Sequence, residues 1–399
     1  MRSTISGHRR KCMQDNPLRA SDMRLHNKSL VLSRIHASQG RGVSQSELVQ
    51  ETGLKAPTIF RIFSALEEEG LIEPVQGGEG SGLQKKGRKP VSYAVCKDAR
   101  YSIGLEFWAA YISIGVFDFR GDRIFSSMEP LGGDTDVDAV MDSIVRMVTD
   151  SVVRLSIPRN KLLGIGVAAP GQVDLENQLV MYYPRIHGMK AYPIVKVLQE
   201  RLRMPVLLHN NCSAIAFSEY RYGGFDNKGS MFTFLLRSGV NGAFVHDDQI
   251  FLSSRGTTLE TGHIPINFDG PRCACGSRGC LQAYLQDLDP DSLQSRLALF
   301  EGLEAPLRAG EPKALRTIER AAGYLLIAMK SIIRFLSPRT FLFVGCSETV
   351  SNAIADEVRR LFVEPDAFDA DIPFIYAKAY DPLFAQKGAS DLVLAAFFS

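Results

Sequence analysis

Glu260-Thr261-Gly262-His263, followed by Cys273-Ala274-Cys275-Gly276-Ser277-Arg278-Gly279-Cys280, is the most informative stretch of the chain. Three soft thiolates and one imidazole are the donor set of a tetrahedral Zn²⁺ ion, and a Cys₃His shell leaves no open position for a water. His263, Cys273, Cys275 and Cys280 are therefore read as ligands of a structural zinc rather than a catalytic one. Spacing this close needs tight turns, which Gly276 and Gly279 permit. The other four cysteines, Cys12, Cys96, Cys212 and Cys346, are scattered. An odd total of seven, in a chain whose first residues carry no apolar signal-like run, argues against a disulfide framework and for metal or free thiols.

Outward from this motif, 399 residues are too many for one ordinary domain. A hydrophobic fraction of 45% and a charged fraction of 23% fit a globular protein, and no apolar run is long enough to cross a bilayer, so a cytoplasmic location without membrane contact is expected. The net charge of +2 is uninformative, but its distribution is not. Arg2, Arg9, Arg10, Lys11, Arg19 and Arg24 crowd the first segment, and Lys85, Lys86, Arg88 and Lys89 form a second cluster. Both lie in the first quarter of the chain, where a nucleic-acid contact is to be sought.

Three regions follow from pattern: a disordered basic arm over residues 1–24, a DNA-binding domain over 25–95, and an α/β effector domain over 96–399. In the last region, strands are expected at Tyr101–Gly104, Tyr111–Phe119, Leu162–Ala169, Val206–Leu208, Met231–Leu236, Gly242–Phe251, Thr340–Val344 and Phe374–Ala377. Helices are expected at Val137–Leu155, Ser213–Tyr222, Pro312–Phe335, Ser351–Phe362 and Ala389–Phe398. No internal repeat stands out, although two similar α/β halves are compatible with this order.

The DNA-binding reading rests on two helical patterns and a turn. Val43-Ser44-Gln45-Ser46-Glu47-Leu48-Val49 starts a helix with a polar cap, and Glu51-Thr52-Gly53-Leu54 is the turn. Ala56–Glu69 is a second helix with Ile59, Ile62, Phe63 and Leu66 on one face and Thr58, Arg61 and Ser64 opposite. Gly70-Leu71-Ile72 then leads into a hairpin, the order of a winged helix-turn-helix whose second helix enters the major groove. Lys55, Thr58 and Arg61 are the candidates for groove contact. In Lys85-Lys86-Gly87-Arg88-Lys89-Pro90, Arg88 can enter a narrow A·T minor groove while Lys85, Lys86 and Lys89 hold phosphates.

The zinc-motif pattern Glu-x-Gly-His then Cys-x-Cys-Gly-x-x-Gly-Cys resembles that of the ROK family (repressor, open reading frame, kinase). Ala169-Pro170-Gly171-Gln172-Val173-Asp174, His209-Asn210-Asn211 and Gly388-Ala389-Ser390 are similar to further family motifs, so the resemblance covers nearly the whole chain. It implies an N-terminal winged helix-turn-helix followed by a two-lobed actin-like (ribonuclease H-like) sugar kinase fold with structural zinc. The zinc motif would occupy 260–282, and the C-terminal helix would return to the first lobe.

The resemblance also locates departures. The family's catalytic base is the aspartate of Glu-Asn-Asp-Ala-Asn, and the matching residues here are His209, Asn210, Asn211, Cys212 and Ser213. An amide such as Asn211 accepts no proton near neutral pH. The first phosphate motif, Asp-x-Gly-Gly-Thr, matches Glu106-Phe107-Trp108-Ala109-Ala110, and Gly-Thr-Gly-x-Gly matches Arg237-Ser238-Gly239-Val240-Asn241. The adenosine-side Gly-Gly-Gly matches Gly345-Cys346-Ser347. ATP binding and catalysis are therefore not expected. The family's sugar pocket maps onto Gly171, Asn210, Asn211, Glu260, His263 and Gln282, the last standing where the family has glutamate.

The resulting expectation is a transcriptional regulator of carbohydrate genes, a repressor by preference. It binds double-stranded operator DNA as a homodimer or homotetramer, with a sugar or sugar phosphate as effector. The alternative is a divergent ROK sugar kinase acting on a hexose or amino sugar.

Overall fold

The computed structural model describes residues 20–38, 40–75, 91–132, 135–225, 229–253, 259–288, 299–362 and 373–398. The chain separates into two compact units, Met1–Ala99 with Ala396–Ser399, and Arg100–Ala395. Among the described residues no helix is long and apolar enough to cross a membrane.

The smaller unit runs α1 (Ala20–Ala37), β1 (Val43–Ser44), α2 (Gln45–Thr52), α3 (Ala56–Glu68), β2 (Ile72–Val75) and β3 (Ser92–Val95). Val31, Leu32 and Ile35 of α1, Leu48 of α2, and Ile59, Phe63 and Leu66 of α3 are its buried core. Each such side chain stabilises the unit by roughly 1.5–3 kcal/mol relative to exposure. β3 lies between β1 and β2, antiparallel to both.

Three details differ from the sequence expectation. Residues 20–24, assigned to a disordered arm, form the first turn of α1, where Asp22 complements the helix dipole. Val43 and Ser44 are strand rather than helix, because Ser44 is the N-cap of α2. Its hydroxyl accepts from the Glu47 N–H at 3.3 Å, and the Glu47 carboxylate accepts from the Ser44 N–H at 2.7 Å, which is a capping box. Residues from Ala396, placed in the effector domain by sequence, group with this unit, in which Phe398 packs on His36 at 5.0 Å.

The larger unit has two lobes. The first contains β4 (Tyr101–Phe107), β5 (Tyr111–Asp118), β6 (Arg123–Pro130), α4 (Val137–Arg154), β7 (Leu162–Ala169), β8 (Gln172–Asp174), β9 (Leu179–Tyr182), β10 (Lys190–Tyr192), α5 (Ile194–Leu202), β11 (Val206–Asn210) and α6 (Asn211–Tyr222). The second contains β12 (Ser230–Leu236), β13 (Val240–His246), β14 (Gln249–Ile250), α7 (Leu281–Leu288), α8 (Glu304–Arg308), α9 (Pro312–Leu336), β15 (Thr340–Gly345), α10 (Glu348–Leu361) and β16 (Phe374–Ala379), after which α11 (Pro382–Phe398) returns to the first lobe. The major sheets run β6-β5-β4-β7-β11 and β14-β13-β12-β15-β16. In each, three antiparallel strands are followed by two parallel ones, so the halves share one plan.

The core between the sheets comes from α6 and α11. Cys212, Ala214, Ile215 and Ala216 of α6 and Ala385 and Ala389 of α11 pack with Ala168, Met231, Leu235, Leu342 and Val344. Close approach depends on missing side chains. A Cβ on Gly104 would lie 1.8 Å from the Gln386 carbonyl oxygen, and one on Gly166 would lie 1.9 Å from that of Ala389. α11 therefore lies directly on β4 and β7. It begins at Pro382, seven residues before the expected Ala389, since proline suits a first helical turn and its apolar residues are not confined to one face. The expected strand Gly242–Phe251 is two strands, broken at Asp247 and Asp248, which both adopt left-handed backbone.

Candidate functional site

The metal motif folds as a knot of short turns behind β13. The stretch Thr261–His263 is a single helical turn, and Cys280 bridges Pro265 immediately before α7. Between Cys273 and Cys280 the chain reverses, with the Cys273 N–H donating to Ser277 O at 2.8 Å and the Gly276 N–H to Cys273 O at 3.0 Å. Gly276 and Gly279 have φ of 93° and 68°, and a Cβ on Gly279 would lie 1.5 Å from Asn267 O, so glycine is obligatory there.

This backbone brings ligand atoms of His263, Cys273, Cys275 and Cys280 within 4.8 Å of one another. Cys273 Sγ is 3.4 Å from His263 Nδ1, and Cys275 Sγ is 3.7 Å from Cys280 Sγ. A tetrahedral zinc with ordinary bond lengths sets its ligands about 3.8 Å apart for two sulfurs and about 3.5 Å for sulfur and nitrogen. The donor set and its spacing fit a bound metal ion.

The expected sugar-pocket residues fall into two groups on opposite lobes. Asn210 ends β11 and caps α6, its side chain accepting from Cys212 N–H while its amide donates to Gly171 O at 2.8 Å. Gly171 has φ 71°, and a Cβ there would meet Tyr182 O at 2.3 Å. Asn211 is 5% exposed and also accepts from Cys212 N–H. On the second lobe, Gln282 Oε1 accepts from Val240 N–H at 3.3 Å. Glu260 is exposed at the edge of a cavity of about 330 Å³ whose walls include Phe232, Phe251, Leu259 and Phe335. Although the residue as a whole is exposed, partial burial of its carboxyl raises the Glu260 pKa above the usual range, opposed by the nearby His263. Among the described residues no hydrogen bond joins the Asn210 group to the Glu260 and Gln282 group. His209, beside Asn210, has a buried Nδ1 without a hydrogen-bond partner among the described residues, and burial pushes its imidazole down to about 4.

The residues standing at the family's phosphate motifs form a buried polar cluster that the sequence reading did not anticipate. Glu106 ends β4 on the first lobe, and Arg237 follows β12 on the second. The Arg237 guanidinium donates to Glu106 Oε1 at 2.8 Å and lies between two rings, 3.7 Å from the Trp108 centroid and 3.8 Å from that of Tyr380. The Tyr380 and Tyr111 hydroxyls both donate to Glu106 Oε2. Burial opposes the Arg237 charge, and Glu106 together with Tyr380 and Tyr111 more than offsets it, so its pKa stays above the ordinary value. Burial, then the Glu106 charge, raises both tyrosines. The Ala109 N–H donates to the buried Tyr183 hydroxyl at 3.1 Å. The Ala109 N–H, at one of the expected phosphate motifs, is thus already used.

In the smaller unit, Lys55 is the N-cap of α3, and Thr58 and Arg61 line a cleft of about 340 Å³ with Arg24, Asn27 and Lys28 of α1. Lys28 is paired with Glu69. Of these α1 residues, Arg24 belongs to the first basic cluster of the sequence, whereas Asn27 and Lys28 carry no motif. Lys85, Lys86, Arg88 and Lys89 lie outside the described residues.

The sequence profile of the ROK family matches residues 102–390, and that of the IclR helix-turn-helix domain matches residues 37–76. A xylose repressor from Bacillus spizizenii is 25% identical over 339 residues, covering 83% of this chain and 86% of the relative. A glucokinase from Streptomyces coelicolor is 23% identical over 282 residues, covering 65% of this chain and 86% of the relative. A solved ROK family transcriptional regulator, described as a homolog of E. coli MLC protein, shares the fold with a TM-score of 0.76 at 19% identity. That likeness covers 94% of this chain and 97% of the neighbour. With the family profile spanning most of the chain and the metal cluster and two-sheet plan in place, this protein is a member of the ROK family.

Proposed function

We propose that the chain is a sugar-responsive transcriptional repressor: the winged helix unit binds operator DNA, and the cleft between the two lobes of the larger unit binds a sugar or sugar phosphate. The observation that carries this reading is the union, in one chain, of a helix-turn-helix unit with a ROK fold. The xylose repressor matches 83% of the chain, against 65% for the glucokinase.

In this reading Lys55, Thr58 and Arg61 contact the major groove, with Lys85, Lys86, Arg88 and Lys89 on the minor groove and phosphates. Gly171, Asn210, Asn211, Glu260, His263 and Gln282 face the effector. Zinc on His263, Cys273, Cys275 and Cys280 is structural. It holds the His263 ring so that one nitrogen ligates and the other is free to donate to an effector hydroxyl. Asn211 offers hydrogen bonds without acting as a base, and the Glu106–Arg237 cluster stands where nucleotide phosphates would bind, so no ATP chemistry is assigned. Closure of the lobes on the effector changes how paired DNA-binding units of a homodimer or homotetramer meet two half-sites.

Selection of bound fragments from genomic DNA, followed by band shifts with candidate sugars, tests this. Selective retention of a promoter fragment, altered by one sugar, is the expected result. Failure to enrich any DNA overturns it, and sugar-dependent ADP release in a coupled assay would favour a divergent kinase instead.

A further inference from the structure

The smaller unit carries an exposed aromatic ring that its own core does not use. Phe60, in the N-terminal half of α3, is 59% exposed, although the core face of the same helix is filled by Ile59, Phe63 and Leu66. At 100° per residue, Phe60 stands about 100° from that buried face and about 100° from Arg61, on the flank away from Thr58 and Ala65. It is the one large hydrophobic side chain that α3 exposes among the described residues. Two cations lie near it along the helix: Lys55 precedes α3 and Arg61 follows Phe60, whereas Arg24 and Lys28 of α1 border the cleft on the opposite, Thr58 flank.

An exposed flat ring beside cations in the first half of a helix fits a polyanionic partner that also offers an apolar contact. The major groove supplies both: phosphates along its walls, and on the base edges one apolar substituent, the C5-methyl of thymine. We infer that Phe60 is a base-reading side chain that packs on a thymine methyl in each half-site, while Arg61 and Arg24 set the helix against neighbouring polar edges and phosphates. This rests on the DNA-binding reading above and adds to it the base that one position reads.

The test uses the full-length chain. Duplexes are enriched from a randomised pool, and each conserved thymine of the enriched sequence is then replaced by deoxyuridine, which removes only the methyl. At one step per half-site, wild-type affinity is expected to fall about fourfold, the worth of one buried methyl group. Phe60→Ala is expected to bind the thymine duplex more weakly by at least that factor, and to bind thymine and uracil duplexes equally. Arg61→Ala should weaken binding while keeping the thymine preference. Wild-type indifference to every uracil replacement, or discrimination that survives in Phe60→Ala, overturns the assignment and leaves the DNA-binding reading intact. A Phe60→Ala chain whose sedimentation mass changes without DNA while its discrimination persists assigns the ring to a protein contact and overturns it equally. Failure to enrich any sequence overturns the DNA-binding reading and this inference with it.

Discussion

Glu106 and Arg237 stand 131 residues apart in the chain and on different lobes, yet their side chains meet at 2.8 Å with almost no solvent access, 0% and 6% exposed. Trp108 and Tyr380 cover the two faces of the guanidinium. Buried ion pairs add little net stability, but removing one partner strands the other without water. The pair therefore acts as a fixed tie between β4 and the end of β12.

Arg237→Met should accordingly lower the unfolding free energy by about 3–5 kcal/mol, because Glu106 is left charged and buried. The double variant Glu106→Gln with Arg237→Met should recover most of that loss. Urea unfolding of the three proteins measures both, and an unaffected single variant would show that the pair does not tie the lobes.

Elemental analysis of the purified chain should find one zinc per protomer. Cys275→Ser should lose the metal and any effect of sugar on DNA retention, while retaining DNA binding itself. A variant that responds to sugar normally would make the metal irrelevant to sensing.

His209 gives the stability a pH dependence with a definite sign. Burial lowers its folded value from the ordinary 6.5 to about 4, so the folded state favours the neutral ring. The associated stability is complete above pH 6.5 and is lost as pH falls towards 4, amounting to about 3 kcal/mol over that window. Denaturant midpoints recorded across the window should fall for the wild type and fall less for His209→Gln. Parallel curves would sink the assignment.

Coupled ADP release with hexoses and amino sugars should show no turnover, and Asn211→Asp should not restore it. Restoring a base leaves Arg237, Trp108 and the Tyr183 contact to Ala109 unchanged where phosphates would have to enter. Turnover that Asn211→Ala abolishes would instead establish a kinase.

How much of this was legible in the sequence depended on whether the interaction was local. The capping box of Ser44 and Glu47, the αL turn at Gly53 and the amphipathic faces of α3 and α9 arise within a few residues, so spacing reveals them. The start of α11 was not legible, because its apolar residues spread around the helix, with buried Gln386 and Asp391 among them, and leave no periodic edge to mark the first turn. Lys55, Thr58 and Arg61 were legible as a helix face, whereas the α1 residues beside them were not, since the α1–α3 cleft is a packing result. Phe60 was hidden by its type: an apolar residue in an amphipathic helix reads as core until its exposure is seen.

By itself the sequence determined the local chemistry: a Cys₃His donor set, a turn between two helices, and an amide and bulky side chains where the resemblance led us to expect a base and phosphate-binding glycines. Tertiary structure alone decided what those residues became. Trp108 and Arg237 each read as damage to a glycine-rich motif, and only folding of the two lobes around α6 and α11 shows them stacked with Glu106 between. The order of elements was compatible with two similar α/β halves, but the strand order they share was fixed only by hydrogen bonds between distant segments, which leave little trace in residue identity. Motifs report on what a few neighbouring residues can bind, whereas the pairing of buried charges depends on which distant segments exclude water together.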